Sequence, residues 1–144
     1  MSSRTPRAES LTQLVNEVFV ANGALLAAGD ALTAEGGLTA AQWQVVGFLE
    51  DGPVTAAELA RRRGLRRQSV QETVNRLLRD GMLSRADNPA DARAPLLRLT
   101  AKARAALRVL GSRQAEWADG VASQLPLADV ETTLRTLRAL RDLV

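Results

Sequence analysis

Arg61, Arg62, Arg63, Arg66 and Arg67 place five guanidinium groups within seven residues. Just beyond them, Gln68, Ser69, Glu72, Asn75, Arg76 and Arg79 recur at the spacing of one helical face. Guanidinium groups at helix ends clamp phosphates through charge-assisted hydrogen bonds. Gln and Asn can pair with the edge of adenine, Arg with guanine, and Glu can accept from cytosine. Glu72 has a second option, an ion pair with Arg76 one turn on. Further along, Asp91 and Arg93 stand in a proline-flanked stretch. An Arg on a thin hairpin can enter a narrow minor groove, where the potential is most negative. Asp91 would either orient that guanidinium or tie the hairpin to its domain. The chemistry on offer is recognition of a polyanion. The competing reading of each position is ordinary polar surface, and of Asp91 and Arg93 a flexible charged loop.

Bond-making chemistry has little to work with. The 144 residues contain no Cys and no His, and Lys102 is the single lysine. Disulfides, thiolate metal sites, His-based triads and thiol redox sensing are excluded. There is no phosphate-binding glycine loop, metal-ligand cluster or nucleophile–base pair. No catalytic residue, metal or cofactor is expected, and the chain reads as a non-enzyme. The formal charge of +3 is unevenly spread. Between Thr55 and Arg104 twelve basic side chains face five acidic ones, net +7, while the flanks hold seven basic and eleven acidic, net −4. A basic middle between acidic ends is the footprint of a polyanion-binding module.

The elements that must carry these residues follow from periodicity and caps. Apolar residues from Leu11 to Leu32 predict a long first helix over Glu9 to about Ala34, ended at Gly36-Gly37. Thr39 and Gln42 form a capping box opening a second helix, with Trp43, Val46 and Leu49 inward, broken at Asp51-Gly52-Pro53. Thr55 and Glu58 form a second box before a short third helix that stops at Gly64. A fourth helix runs from Arg66 or Arg67 to Asp80, with Val70, Val74, Leu77 and Leu78 inward and Gly81 beyond its end. Met82–Arg85 and Leu96–Leu99 read as the strands of a hairpin with a ten-residue tip. Thr100 caps a fifth helix carrying Leu107, Leu110, Trp117 and Val121. Pro126 separates it from a sixth with Val130, Leu134, Leu137 and Leu140. The fold expected is mainly α with a small β wing: a winged helix-turn-helix plus a helical dimerisation region. Residues 1–37 would be the N-terminal dimerisation helix, 38–100 the DNA-binding domain and 101–144 the C-terminal dimerisation helices.

The stretch from Asp91 to Thr100 fits the D-x-R-x-x-x-L-x-L-T wing signature and resembles that of the MarR family of bacterial regulators. Leu38-Thr39 with Gln42-Trp43, Thr55 with Glu58-Leu59-Ala60, and Val70, Val74, Leu77-Leu78 with Gly81-Met82-Leu83 are similar to the family's second helix, third helix, recognition helix and first wing strand. The resemblance implies a homodimer whose terminal helices interlock, with a winged helix on each side reading a pseudo-palindromic operator. Many members are repressors released by small aromatic or anionic ligands. It puts Arg93 in the minor groove, gives Asp91 the wing to hold, and places Arg67 to Arg76 in the major groove. This chain departs in having one wing arginine, with Ala92 before it, where the family often has two, and Ala103 where it often has Gly.

The apolar character of the first and sixth helices supports association independently, since pairing about a two-fold axis would bury faces a winged helix leaves open. Packing of the first, fifth and sixth helices within one chain is the alternative. Trp43 and Trp117 are the candidate lining of an effector pocket, or simply core. No uninterrupted apolar run reaches the ~18 residues of a membrane span, and Met1–Ser10 lacks a signal-peptide stretch. The expected partners are double-stranded DNA, a second copy of the chain and a small-molecule effector, with no membrane, and the expected location is the cytoplasm. The reading is a sequence-specific repressor acting as a homodimer. The alternative is a winged-helix protein-interaction module or a non-specific architectural DNA binder, separated from it by salt dependence and sequence preference.

Overall fold

Thr5 and Pro6 start the chain's first helix, α1 (Pro6–Thr33), in the computed structural model, which describes residues 4–144. The Thr5 hydroxyl accepts from the Ala8 amide at 3.2 Å. Pro6 fits the first turn because its missing N–H would have had no partner there. The helix thus begins at Pro6 and not at Glu9. Only Thr33 of α1 is buried, while Leu11, Val18, Phe19, Val20 and Leu25 are exposed. Among the described residues, Pro6–Gly36 is also long and apolar enough to cross a membrane, with a mean hydropathy of 1.3. Averaging over the window admits Asn16 and Asn22, which interrupt any continuous apolar run. A helix that keeps its apolar face for another protein surface passes the same test.

The second helix, α2 (Ala40–Phe48), carries the full capping box. Thr39 Oγ1 accepts from the Gln42 amide at 3.1 Å, and Gln42 Oε1 accepts from the Thr39 amide at 3.0 Å. From α1, Asp30 Oδ1 accepts from the Ala40 amide at 2.7 Å, tying the two helix ends together. Val45 and Val46 are buried, with Leu49 in the 3-10 turn that follows, whereas Trp43, expected inward, is half-buried. The α1–α2 crossing is close: a Cβ on Gly29 would lie 2.7 Å from Ala40 Cβ. In an open helix Gly→Ala stabilises by about 0.5–1 kcal/mol. Here Gly29→Ala should instead destabilise by about 1–3 kcal/mol through overpacking, read as a lowered urea midpoint. An unchanged or raised midpoint would mean that the helices part without cost.

Gly64, at φ 63°, makes the turn between α3 (Ala56–Arg63) and α4 (Arg67–Arg79), in the left-handed region that L side chains disfavour. Leu59, Ala60, Val70, Val74 and Leu77 meet across this turn in the core. The strands β1 (Leu83–Ala86) and β2 (Leu96–Leu99) form an antiparallel pair with Leu83 opposite Leu99 and Arg85 opposite Leu97. Val54 adds a single bridge, its carbonyl accepting from the Leu97 amide at 2.8 Å. Thr100 caps α5 (Ala101–Ala122) and also donates to the Gly81 carbonyl at 2.6 Å. Lys102 Nζ donates to the Asp80 carbonyl at 2.7 Å, at the C-terminal end of α4, where a cation complements the helix dipole. The core is closed by Leu107 and Leu110 of α5. The last helix, α6 (Leu127–Leu143), buries no residue at all. The architecture is a mainly helical winged helix-turn-helix with a two-stranded wing.

Candidate nucleic-acid interface

The buried row Val70, Val74 and Leu77 fixes which way α4 faces. Gln68, Glu72, Asn75, Arg76 and Arg79 all lie exposed on its outer side, with Arg66 and Arg67 exposed at its start. Leu78, expected inward, is half-buried. Ser69 is exposed on the flank, beside an apolar notch of about 220 Å3 that it shares with Leu26 of α1, Val45 of α2 and Leu65. Among the described residues Arg66, Arg67, Arg76 and Arg79 pair with no carboxylate. Glu72 does not take the Arg76 pairing; its carboxylate accepts from Gln68 Nε2 at 3.5 Å. Gln71, not singled out from the sequence, donates to Asn75 Oδ1 at 3.0 Å, which leaves the Asn75 NH2 turned to other acceptors.

The arginine cluster divides in two. Thr55 Oγ1 accepts from the Glu58 amide at 3.1 Å, half of the expected capping box. The other half is missing because the Glu58 carboxylate turns to Arg61 (2.6 Å from Nη2) and Arg62 (2.5 Å from Nε), one turn along the helix. Two charge-assisted bonds outweigh one backbone N–H that water can serve. The hydrogen bonds from Arg61 and then Arg62 hold the Glu58 carboxyl down at about 2, and raise the Arg61 guanidinium above its ordinary value. The guanidinium carbons of Arg62 and Arg63 stand 5.9 and 5.8 Å from the centre of the Phe48 ring, within cation–π range. Arg61 is therefore engaged within α3 by Glu58, Arg62 by Glu58 and Phe48, and Arg63 by Phe48 of α2, and Arg66 and Arg67 are the two of the five with neither kind of partner among the described residues.

Arg67 has company that the spacing alone did not show. With Gln71 of α4, Arg85 of β1 and Arg93 of the wing tip it lines a notch of about 160 Å3, floored by Thr55, Ala56 and Ala57 at the start of α3. Arginines from α4, from β1 and from the wing tip line this space, and among the described residues no acidic one does. The unpaired first-turn amides of α3 add partial positive charge on the same side. Such a notch suits a phosphate oxyanion. Strand alternation gives no signal for Arg85: two residues from the buried Leu83 and opposite the buried Leu97, it shares their face of the hairpin and is exposed all the same.

The wing tip is ordered. Asp91 Oδ1 accepts from the backbone amide of Arg93 at 2.9 Å, so it fixes the arginine's main chain and not its guanidinium. Asn88 spans the tip: its Oδ1 accepts from the Ala90 amide at 3.1 Å and its Nδ2 donates to the Ala94 carbonyl at 2.9 Å. Backbone bonds from Asp91 to Asn88 and from Ala94 to Asp91, both 3.2 Å, complete two successive turns. Arg93 is left exposed at the end of this frame, with no carboxylate partner among the described residues.

Behind this surface, Trp43 of α2 and Trp117 of α5, both half-buried, line one cleft of about 440 Å3 against α1. Leu26, Gly29 and Leu32 form its apolar side, and Gln44 and Gln114 bring amide groups to it.

A model described as MarR family matches residues 36–94, from the end of α1 into the wing tip. A protein of Mycobacterium tuberculosis, itself uncharacterised, is 32% identical over 130 residues, covering 90% of this chain and 91% of its own. Among solved structures, the transcriptional regulator BldR from Sulfolobus solfataricus superposes with a TM-score of 0.84 at 18% identity, covering 98% of this chain and all of that one. The M. tuberculosis transcriptional regulator MosR, solved in complex with DNA, superposes with a TM-score of 0.73 at 27% identity, covering 90% and 96% of the two chains.

Proposed function

Since this chain belongs to the MarR family of transcription regulators, we propose that it is a homodimeric, sequence-specific repressor that binds a pseudo-palindromic double-stranded operator. The observation that carries this reading is the outer face of α4, where Gln68, Asn75, Arg76 and Arg79 stand exposed and, among the described residues, neither arginine has a carboxylate partner. A helix so presented enters the major groove with base-reading side chains foremost. Arg66 and Arg67 meet the backbone, Arg67 together with Arg85 and α3's first turn. Arg93 reaches the minor groove beside it. Structural similarity to a regulator solved in complex with DNA supports DNA as the partner. Residues 38–100 would form the DNA-binding part, with 1–37 and 101–144 pairing across the two-fold axis. Two half-sites about one helical turn apart then combine their affinities.

The Trp43–Trp117 cleft is where an effector would act. It touches α1, α5 and α2 together, so a planar apolar molecule stacked there would change how the recognition helices are spaced. The Gln44 and Gln114 amides would orient a polar substituent. As a regulator of transcription the protein would work in the cytoplasm, with no cofactor and no membrane attachment.

Selection of bound duplexes from a random pool at two salt concentrations tests the reading. A two-fold symmetric motif with steep salt dependence is the expected result. Salt-dependent binding without a motif would mean an architectural protein, and no binding a protein-interaction module. Within the selected site, Arg93→Ala should weaken binding by about 1–3 kcal/mol on A·T-rich flanks. An equal loss on G·C-rich flanks would take Arg93 out of the minor groove.

A further inference from the structure

We infer that Asn88, to which neither the wing signature nor the charge pattern draws attention, is the positioning residue that sets Arg93 for the minor groove. The inference rests on the DNA-binding reading above. Its basis is the placement of one amide side chain. Asn88 Oδ1 holds the Ala90 amide at 3.1 Å and Nδ2 holds the Ala94 carbonyl at 2.9 Å, so a single side chain clasps the tip on both sides of Arg93. The carbonyl of the same residue receives the Asp91 amide at 3.2 Å, and Asp91 in turn receives the Arg93 amide at 2.9 Å. Every bond that fixes the main chain around Arg93 therefore traces back to Asn88 directly or through one residue.

Asn is suited to this task by inventory. Its amide is acceptor and donor at once, and the clasp needs both. Aspartate could keep the Ala90 contact, but its carboxylate cannot donate to the Ala94 carbonyl and would repel it. Alanine keeps neither. Without the clasp, the tip between β1 and β2 becomes a nine-residue loop with Pro89 and Pro95 as its only stiff points. Arg93 must then be ordered on binding, and fixing one backbone residue costs about tenfold in affinity. Arg67 and Arg85, on α4 and β1, are unaffected, so phosphate contacts and the salt slope persist.

The test is a double-mutant cycle in the full-length protein, using the selected operator with A·T-rich and G·C-rich flanks. Asn88→Ala should weaken binding about tenfold on A·T-rich flanks, and Asn88→Asp nearly as much. In an Arg93→Ala background Asn88→Ala should change affinity less than twofold, because nothing is left to position. The salt slope of each Asn88 variant should match that of its own background, since Arg93→Ala by itself takes a cation away from the DNA. Hydrogen exchange supplies a readout independent of DNA: the Arg93 amide should exchange faster in Asn88→Ala at an unchanged Tm. Equal losses in both backgrounds, or a reduced salt slope, would overturn the inference by making Asn88 a direct DNA contact. So would a neutral Asn88→Ala beside a costly Arg93→Ala. A neutral Arg93→Ala with intact operator binding strikes instead at the minor-groove reading, and the inference goes with it.

Discussion

Leu77→Ala should cost the folded state about 2–5 kcal/mol, the largest stability loss expected on the recognition helix. Leu77 is wholly buried, 0% exposed, on the inner row of α4 with Val70 and Val74. It belongs to one buried apolar cluster with Leu59 of α3, Met82 and Leu83 at the start of the wing and Leu97 of β2. Truncation removes transfer energy and leaves a cavity among elements that are each pinned elsewhere: α3 at Gly64, the wing at Thr100, α4 at Lys102. They cannot collapse into the space, which favours the upper half of the range. Against a total of about 5–15 kcal/mol such a loss is severe. Urea denaturation measures it directly. Asn75→Ala, two residues away on the outer face, should stay within about 0.5 kcal/mol and serve as the control. A loss below about 1 kcal/mol for Leu77→Ala would mean that α4 is not seated on this core.

Leu134→Asp should leave the domain folded and abolish tight operator binding. Leu127, Val130 and Leu134 follow one another along α6 at helical spacing, and the helix buries none of them within the chain. Leu134 is 46% exposed, so a carboxylate there costs a lone chain little. Across a two-fold axis the same carboxylate would be buried twice without a partner, a cost of several kcal/mol per ion. Sedimentation is expected to give a dimer for the wild type and a monomer for the variant. Operator affinity should fall by about 10²–10⁴, the gain that linking two half-site readers supplies. Binding to a single half-site should be unchanged. A dimer that survives the substitution would assign the interface to other faces, with exposed Phe19 and Val20 of α1 as the next to change.

The elements were legible in the sequence because their signals are local. Thr39, Thr55 and Thr100 each cap the helix they announce, and Gly64 and Gly81 end the elements they follow. Thr5-Pro6, a cap with proline behind it, is as plain a signal, whereas the apolar spacing that begins at Leu11 points to a start near Glu9. The site was less legible, for competitive reasons. Glu58 matches a capping box and also an ion pair one turn on, and the ion pair wins. Glu72 had two donors within reach, Gln68 and Arg76, and sequence distance cannot rank them. The fate of Arg62 and Arg63 depended on Phe48, fourteen residues back in another helix. The notch that gathers Arg67, Arg85 and Arg93 exists only once the wing has folded beside α4. Asn88 precedes a proline at the head of a turn, where Asn side chains bind their own main chain, so its local bond was available to the sequence; its reach to Ala94 was not.

Lys102 carries the chain's single side-chain amine. Its position against the last carbonyl of α4 makes it a chemical handle at the junction of recognition helix, wing and α5. Once the more reactive α-amine is blocked with an unlabelled reagent near neutral pH, an amine-directed dye would mark one side chain per subunit without any engineered cysteine, in a protein that offers thiol reagents no side chain to attack. In a two-fold assembly the two dyes would sit at symmetric points behind the two reading heads. Energy transfer between them would then follow the spacing of the heads in solution, with and without operator, from an unmodified sequence.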